Sequence, residues 1–233
     1  MILLSLDTSS RDASIAVLKD EDVLLEYNFS SRDDLSAMLV PSLEFILKAL
    51  SLRMEQIDAF GVGIGPGLFT GIRIGMATVK GLAFSGQKPV VGVISLKALA
   101  FKFTDTKKNV IALMDAQKGE VYLGGYRFDG GEFVELIPPC LLKVEAIVPL
   151  VADLPDKIFV GSGVEKHMDF IKNNFSGSPR PYRSNFLANE IGRIALQQFR
   201  RKHVMTDLQE LLPFYIRKPD AETNRSHASG VAD

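Results

Sequence analysis

The stretch GIGPGLFTGIRIG, residues 63–75, holds five glycines and a proline between an apolar run and a segment with helical spacing. Glycine-rich turns of this kind either hold phosphate groups or allow a helix to pack closely on a sheet. No lysine follows these glycines at the spacing of a Walker A loop, and Thr70 stands where a dinucleotide fingerprint that includes Gly65 requires its third glycine. The sequence therefore favours close packing, although the N–H groups of a helix capped by Thr70 could still hold an anion.

The helix predicted after this turn, over about residues 71–84, carries small residues at every third or fourth position. A glycine inside a helix costs about 0.8–1 kcal/mol relative to alanine, so this seam requires a close neighbour, either another helix or the sheet. An earlier helix, over residues 33–50, carries a leucine stripe, the additional apolar residues Met38 and Phe45, and a proline at position 41 that should kink it.

Two interpretations of this helix pair stay open. Either the helices are deeply buried, or they present an apolar surface to a partner protein. Under the second interpretation, the partner-binding residues are Leu35, Met38, Leu39, Ser42, Phe45, Gly71, Arg73, Ile74, Gly75 and Thr78.

Outside these helices, short apolar runs alternate with turns and predict an α/β fold. Three strands come first, beginning with ILLSLD at residues 2–7, and the second half opens with another apolar run that ends in an acid, so that Asp115 occupies the place of Asp7. This repetition predicts a duplication. We expect an N-terminal lobe at 1–104, which carries the partner-binding helices, a C-terminal lobe at 105–219, and a disordered tail at 220–233.

The composition bounds the function classes. The 233 residues are 46% hydrophobic, and 27 Lys and Arg balance 28 Asp and Glu to a formal charge of −1, which gives no bulk attraction to nucleic acids or anionic membranes. One cysteine cannot form a disulfide within the chain, and the first residues lack the pattern of a signal peptide. No apolar run approaches the roughly 18 residues needed to span a bilayer. The sequence predicts a cytoplasmic protein without a membrane partner.

Candidate residues for chemistry are few. The histidines are scattered and no cysteines are paired, so we expect no metal site. Acids at the ends of strands can hold magnesium or water in phosphoryl transfer, but they also stabilise turns. An autonomous ATP-dependent phosphotransferase or ATPase therefore stays open as the alternative function. Its nucleotide or anion contacts would be Asp7, Thr8, Gly65, Gly67, Thr70 and Asp115.

Five segments resemble the bacterial TsaB family, also called YeaZ, whose members look like inactive relatives of the ATP-binding protein TsaD. They are LDTSSRDASIAVL, GIGPGLFTGIRIGMATVKGLA, PVVGVISLKALA, MDAQKGEVYLGGY and LLPFYIRKPDAE. The resemblance covers nearly the whole chain, and its most specific part is the string GPGLFTGIRIG at residues 65–75. It implies an actin-like, sugar-kinase-like (ASKHA) fold of two RNase H-type lobes.

The resemblance also implies a function. It implies that the chain is a non-catalytic partner of a TsaD-like transferase and a TsaE-like ATPase, which form threonylcarbamoyladenosine beside the anticodon of tRNAs that read codons beginning with A. The chain would then need no catalytic residue or cofactor of its own, because its partners handle ATP and threonylcarbamoyl-adenylate, and it would reach tRNA only through the complex.

Two further expectations concern association. The isolated chain is expected to form a homodimer through its apolar helix surface. Family members often carry a histidine six residues before the proline of the first helix, whereas this chain has Leu35 there. The contact made at this position therefore stays open.

Overall fold

The computed structural model describes residues 1–30, 35–129, 132–175, 184–201 and 207–217. Within these residues the strands form two separate sheets. The strands are β1 Ile2–Asp7, β2 Asp12–Lys19, β3 Asp22–Ser30, β4 Ala59–Gly65, β5 Val90–Ile94, β6 Asn109–Asp115, β7 Glu120–Asp129, β8 Glu132–Lys143 and β9 Lys157–Val160. The α-helices are α1 Leu35–Ala49, α2 Phe69–Gly86, α3 Ser95–Phe101, α4 Ile147–Leu150, α5 Ser162–Lys166, α6 Met168–Asn174 and α7 Ala188–Arg200.

The two sheets share one strand order. The first runs β3-β2-β1-β4-β5 and the second runs β8-β7-β6-β9. In each sheet the first three strands are antiparallel, and a later strand returns parallel to the first, β4 beside β1 and β9 beside β6. A parallel neighbour requires a long crossover, which α1 helps to supply in the first sheet. The predicted α/β fold of two similar halves is confirmed, with the acids Asp7 and Asp115 at equivalent strand ends.

Strand β1 reads as a nearly continuous apolar run because both faces of its sheet are covered. Leu4 and Leu6 face the cluster formed with α1 and α2. Leu3 lies in the opposite cluster, which contains α3 and α7, and the Ser5 hydroxyl donates to the Ala188 carbonyl oxygen at 2.7 Å. The alternation of side chains along a strand therefore divides β1 between two helical layers.

The central layer joins the two halves. One hydrophobic cluster contains residues of both sheets together with α3 and α7. Beside it, the Lys102 Nζ lies 2.8 Å from a Glu190 carboxylate oxygen, and both side chains are nearly buried. Removing one partner of such a pair strongly destabilises the fold, because the other charge then stays unpaired in the interior. The ion pair therefore fixes the chain just after α3 against α7.

The boundary between the lobes stays a prediction. Helix α7, which follows the second sheet in the chain, packs on β1, β2, β4 and β5 of the first sheet. The predicted lobe ranges 1–104 and 105–219 follow sequence order, whereas this helix of the second range packs on the sheet of the first. The predicted tail at 220–233 lies outside the described residues.

The start of α2 differs from the expectation. Thr70 was predicted as the N-cap, but the N-cap is Leu68, whose extended backbone precedes the helix and whose carbonyl oxygen accepts from the Ile72 N–H at 3.0 Å. The prediction is wrong because the Leu68 N–H is fixed to the Ser9 carbonyl oxygen at 2.7 Å, so the chain turns earlier than expected. Thr70 then lies in the first turn of the helix and is exposed.

Candidate functional site

The glycine-rich stretch packs against the turn that follows β1. A Cβ atom at Gly67 would overlap the Ser9 carbonyl oxygen, and one at Gly71 would overlap the Thr8 carbonyl oxygen. A Cβ at Gly75 would overlap the Thr8 hydroxyl oxygen and lie 2.9 Å from Leu6. Glycine is needed at these positions because any side chain would displace the turn. The close neighbour that the small-residue seam predicted is therefore the end of β1.

Hydrogen bonds hold the turn in this place. The Thr8 hydroxyl donates to the Gly71 carbonyl oxygen at 2.8 Å, and Thr8 is fully buried. Its hydroxyl is consequently committed to α2. A Cβ at Gly63 would likewise overlap the Asp7 carboxylate, so the stretch covers the acid as well as the turn.

Asp7 is a fully buried carboxyl group. It accepts from the Ser9 hydroxyl at 3.0 Å, from the Ser9 N–H at 3.4 Å and from the Ser95 hydroxyl at 3.4 Å. Ser95, which the first turn of α3 contributes, therefore reaches across to β1. Burial raises the pKa of Asp7 to about 6, because desolvation disfavours the carboxylate more than these hydrogen bonds favour it. Hydrogen bonds from Ser9 and Ser95 therefore occupy both carboxyl oxygens of this buried acid.

A cleft of about 850 Å³ lies where the two halves meet. Most of its lining comes from the turns after β1 and β6, the loop after β4, helix α5 and residues 214–217. Of the six predicted anion contacts, Gly67 and Asp115 line this cleft, whereas Asp7, Thr8, Gly65 and Thr70 lie outside its lining. The charged residues of the lining are Arg11, Asp12, Asp115, Lys118, Lys166 and Arg217.

The C-terminal segment at 207–217 crosses from one half to the other beside this cleft. The Phe214 N–H donates to the Ile64 carbonyl oxygen at 2.8 Å, at the end of β4. Three residues later, the Arg217 guanidinium donates to the Ala116 carbonyl oxygen at 2.8 Å and pairs with the Glu120 carboxylate. Sequence reasoning found no site residue here, although the aromatic and cationic string FYIR at 214–217 was a readable signal.

The predicted partner-binding residues divide by burial. Leu39, Ser42, Gly71 and Gly75 are buried within the chain. Met38 is 39% exposed and Phe45 is 57% exposed on α1. Arg73 is exposed on α2, and the remaining three residues are partly buried. Those three are Leu35, Ile74 and Thr78.

The part of the chain that the structure describes contains neither a metal-binding cluster nor a membrane-spanning helix. Among those residues, no three His, Cys, Asp or Glu side chains are grouped as a metal ion would require. His203 and His227 lie outside those residues, whereas His167 is half-buried between α5 and α6. No helix in the described ranges combines the length and the apolar character needed to cross a membrane.

Comparison with known proteins identifies the family. Residues 30–225 match the family described as TsaD, tRNA N6-adenosine threonylcarbamoyltransferase. The protein of Haemophilus influenzae described as tRNA threonylcarbamoyladenosine biosynthesis protein TsaB is 31% identical over 229 residues, covering 93% of this chain and 94% of the relative. The chain belongs to the TsaB family. This confirms the resemblance, and TsaB membership gives the chain a role in tRNA threonylcarbamoyladenosine biosynthesis.

Solved structures agree with the TsaB assignment. YeaZ from Pseudomonas aeruginosa superposes with a TM-score of 0.77 at 27% identity, covering 92% of this chain and 99% of that one. The activator of 2-hydroxyisocaproyl-CoA dehydratase from Clostridium difficile has a TM-score of 0.50 at 13% identity, covering 87% of this chain and 97% of that one. The latter likeness concerns the fold alone and agrees with the expected actin-like architecture.

Proposed function

We propose that this TsaB-family chain is a non-catalytic subunit that binds a TsaD-like transferase and activates threonylcarbamoyl transfer to tRNA. A TsaE-like ATPase completes the complex. The partners handle ATP and threonylcarbamoyl-adenylate, and tRNA is reached only through the complex, in the cytoplasm. The chain binds its TsaD-like partner through an association face on α1 and α2. This face consists of Leu35, Met38, Phe45, Arg73, Ile74 and Thr78.

The observation that carries the proposal is the packing of the glycine-rich stretch against the turn after β1. Its glycines accommodate the turn after β1, so their close approach serves the fold of this chain. Meanwhile the outer sides of the same helix and of α1 leave large apolar side chains in water, Phe45 and Met38 among them. Moving such a side chain from full exposure to full burial contributes about 1.5–3 kcal/mol, and the fraction that is still exposed here favours covering this face with a partner.

The same face accounts for the expected homodimer. A surface that waits for a TsaD-like partner can pair with a second copy when that partner is absent, since a two-fold interface uses one patch twice. We propose that the isolated chain self-associates through α1 and α2, and that the TsaD-like partner competes with this pairing.

The phosphotransferase alternative draws its support from the cleft between the halves. The cleft is large enough for a small ligand and carries four cationic side chains. Asp7, however, is buried and bonded to Ser9 and Ser95, so it does not face that space. Equilibrium dialysis of the isolated chain with ATP distinguishes the two functions. We expect no saturable binding, whereas saturable binding with hydrolysis would support the alternative.

A charge placed on the association face tests the proposal. Met38→Asp should weaken binding to the TsaD-like partner at least about tenfold, or about 1.4 kcal/mol, because an apolar contact is replaced by a charge that must be desolvated. The free energy of unfolding should change by no more than about 0.5 kcal/mol, because the side chain is exposed. Binding is measured by titration calorimetry and stability by urea denaturation.

Leu150→Asp is the matched control. Leu150 is 43% exposed at the end of α4 on the other sheet, so the same charge is added at similar exposure away from the proposed face. We expect wild-type binding from this variant. Equal losses of affinity in the two variants, or no loss in Met38→Asp, would contradict the placement of the association face on α1.

A further inference from the structure

Arg73 of the association face is held in place by an aromatic pair. Its guanidinium carbon lies 3.7 Å from the centroid of the Phe69 ring, one helical turn earlier on α2. Its Nε donates to the Tyr215 hydroxyl at 2.9 Å, and the Tyr215 ring stacks on Phe69 with centroids 4.4 Å apart. Both cation–π contact and a hydrogen bond therefore restrict an arginine that is otherwise exposed.

Of the two residues that hold Arg73, Tyr215 lies in a segment that is attached to the opposite half. Tyr215 belongs to the C-terminal segment, and Arg217, two residues further, contacts Ala116 and Glu120 on the second sheet. Phe214, one residue before Tyr215, is bonded to the end of β4. Residues 214–217, hereafter the strap, thus connect the turn between β6 and β7 with the first turns of α2.

We propose that the strap positions Arg73 for partner binding, so that Tyr215 and Arg217 act as positioning residues for the association face. The inference rests on the proposed function of that face. Fixing a long side chain before binding lowers the entropy cost of the complex, because an arginine otherwise loses many rotamers on association. Because Arg217 is anchored on Ala116 and Glu120, the ordering of the Arg73 side chain depends on the second half of the molecule. The association face itself lies on helices of the first half.

Hydrogen exchange of the isolated chain tests the connection without a partner. Arg217→Ala removes the anchor on the second sheet and leaves every atom of α2 unchanged. We expect the amide hydrogens of residues 72–74 to exchange at least about fivefold faster, the lower limit of typical coupling between sites. Arg200→Ala is the matched control, since it also removes an arginine paired with a glutamate, Glu21, but at an exposed site away from the strap. It should leave these amides unchanged.

Partner affinity provides the second measurement. Arg217→Ala and Tyr215→Phe should each weaken binding of the TsaD-like protein, and the double variant should weaken it by less than the product of the two effects, because both act through one route. Tyr215→Phe keeps the ring on Phe69 and removes only the oxygen that accepts from Arg73. If Arg217→Ala lowers the melting temperature too far, Arg217→Lys keeps the charge beside Glu120 and should have an intermediate effect.

The outcomes separate this inference from the proposed function. Faster exchange at 72–74 with non-additive losses of affinity supports the strap. Faster exchange confined to residues 115–120 and 214–217, or strictly additive losses, would overturn it while the association face stands. Wild-type chain that fails to bind a TsaD-like protein would instead overturn the proposed function, and the exchange result would still decide whether the strap orders Arg73.

Discussion

At the residue scale, Asp7 stands at a strand end that is suited to phosphoryl-transfer chemistry, yet its carboxyl group is fully buried. An acid at the end of the first strand is where phosphoryl transfer would place a ligand for magnesium or water. Here the carboxyl group is enclosed by Ser9, Ser95 and the backbone of the glycine-rich stretch. Asp115, at the equivalent end of β6, does line the cleft and accepts from the Gln117 N–H at 2.9 Å.

The pH dependence of stability should report the burial of Asp7. Its pKa is about 6 in the folded chain against an ordinary value near 3.8, so the folded state holds the proton more tightly. The stability that the protonated group contributes is complete below pH 4 and is lost as pH rises through 6, by about 3 kcal/mol. The Asn side chain of Asp7→Asn does not titrate. The difference in free energy of unfolding, variant minus wild type, should therefore rise by up to that amount between pH 4 and pH 7.

Urea denaturation at several pH values measures this difference. Asp129→Asn, the same substitution at an exposed carboxyl group at the end of β7, controls for the chemistry of the change. A constant offset between Asp7→Asn and wild type over this pH range would mean that the Asp7 carboxylate is not desolvated as the structure indicates.

At the scale of the element, α2 contains glycines with two different roles. Gly75 faces the turn after β1, where a Cβ would meet Thr8 and Leu6, whereas Gly81 is exposed with no atom near its missing Cβ. Gly75→Ala should lower the free energy of unfolding by about 1–3 kcal/mol, because the turn or the helix must shift. Gly81→Ala should raise it by up to about 1 kcal/mol through helix propensity.

Thermal melts of the two variants compare the same chemical change in one helix. Destabilisation of similar size in both would mean that helix propensity and packing do not separate as described. Stabilisation by Gly75→Ala would show that the space above Thr8 is larger than the structure indicates, and the glycine seam would then have no structural explanation.

How far the sequence predicts these elements depends on whether the signal is local. The strands were predictable because buried strands read as apolar runs that end in turn residues, and the duplication followed from their order. The glycines of α2 indicated a close neighbour, but Thr8 lies 63 residues away from Gly71 and its identity requires the folded chain. The string FYIR marks the strap as unusual, but it has no periodicity, and the contact between Tyr215 and Arg73 requires the folded chain.

On the scale of the whole molecule, the two halves are connected by packing and hydrogen bonds as well as by the chain between them. The central cluster takes side chains from both sheets, α7 covers the first sheet, and Arg217 fastens the C-terminal segment to the second. Sequence order alone would assign α7 to the second lobe, because neither an apolar helix face nor its period identifies the sheet that the helix covers. The proposed association face on α1 and α2 lies on the other side of the first sheet from the layer that contains α3 and α7.

Threonylcarbamoyl transfer in a reconstituted mixture tests the non-catalytic role most directly. The mixture contains tRNA, the TsaD-like and TsaE-like proteins, ATP and threonylcarbamoyl-adenylate, and nucleoside analysis quantifies the threonylcarbamoyladenosine formed. We expect transfer that requires this chain, no transfer by this chain alone, and near wild-type transfer with Asp7→Asn at a temperature where that variant is folded. Substantial transfer by this chain without the TsaD-like protein, lost in Asp7→Asn, would contradict the non-catalytic role and indicate an enzyme.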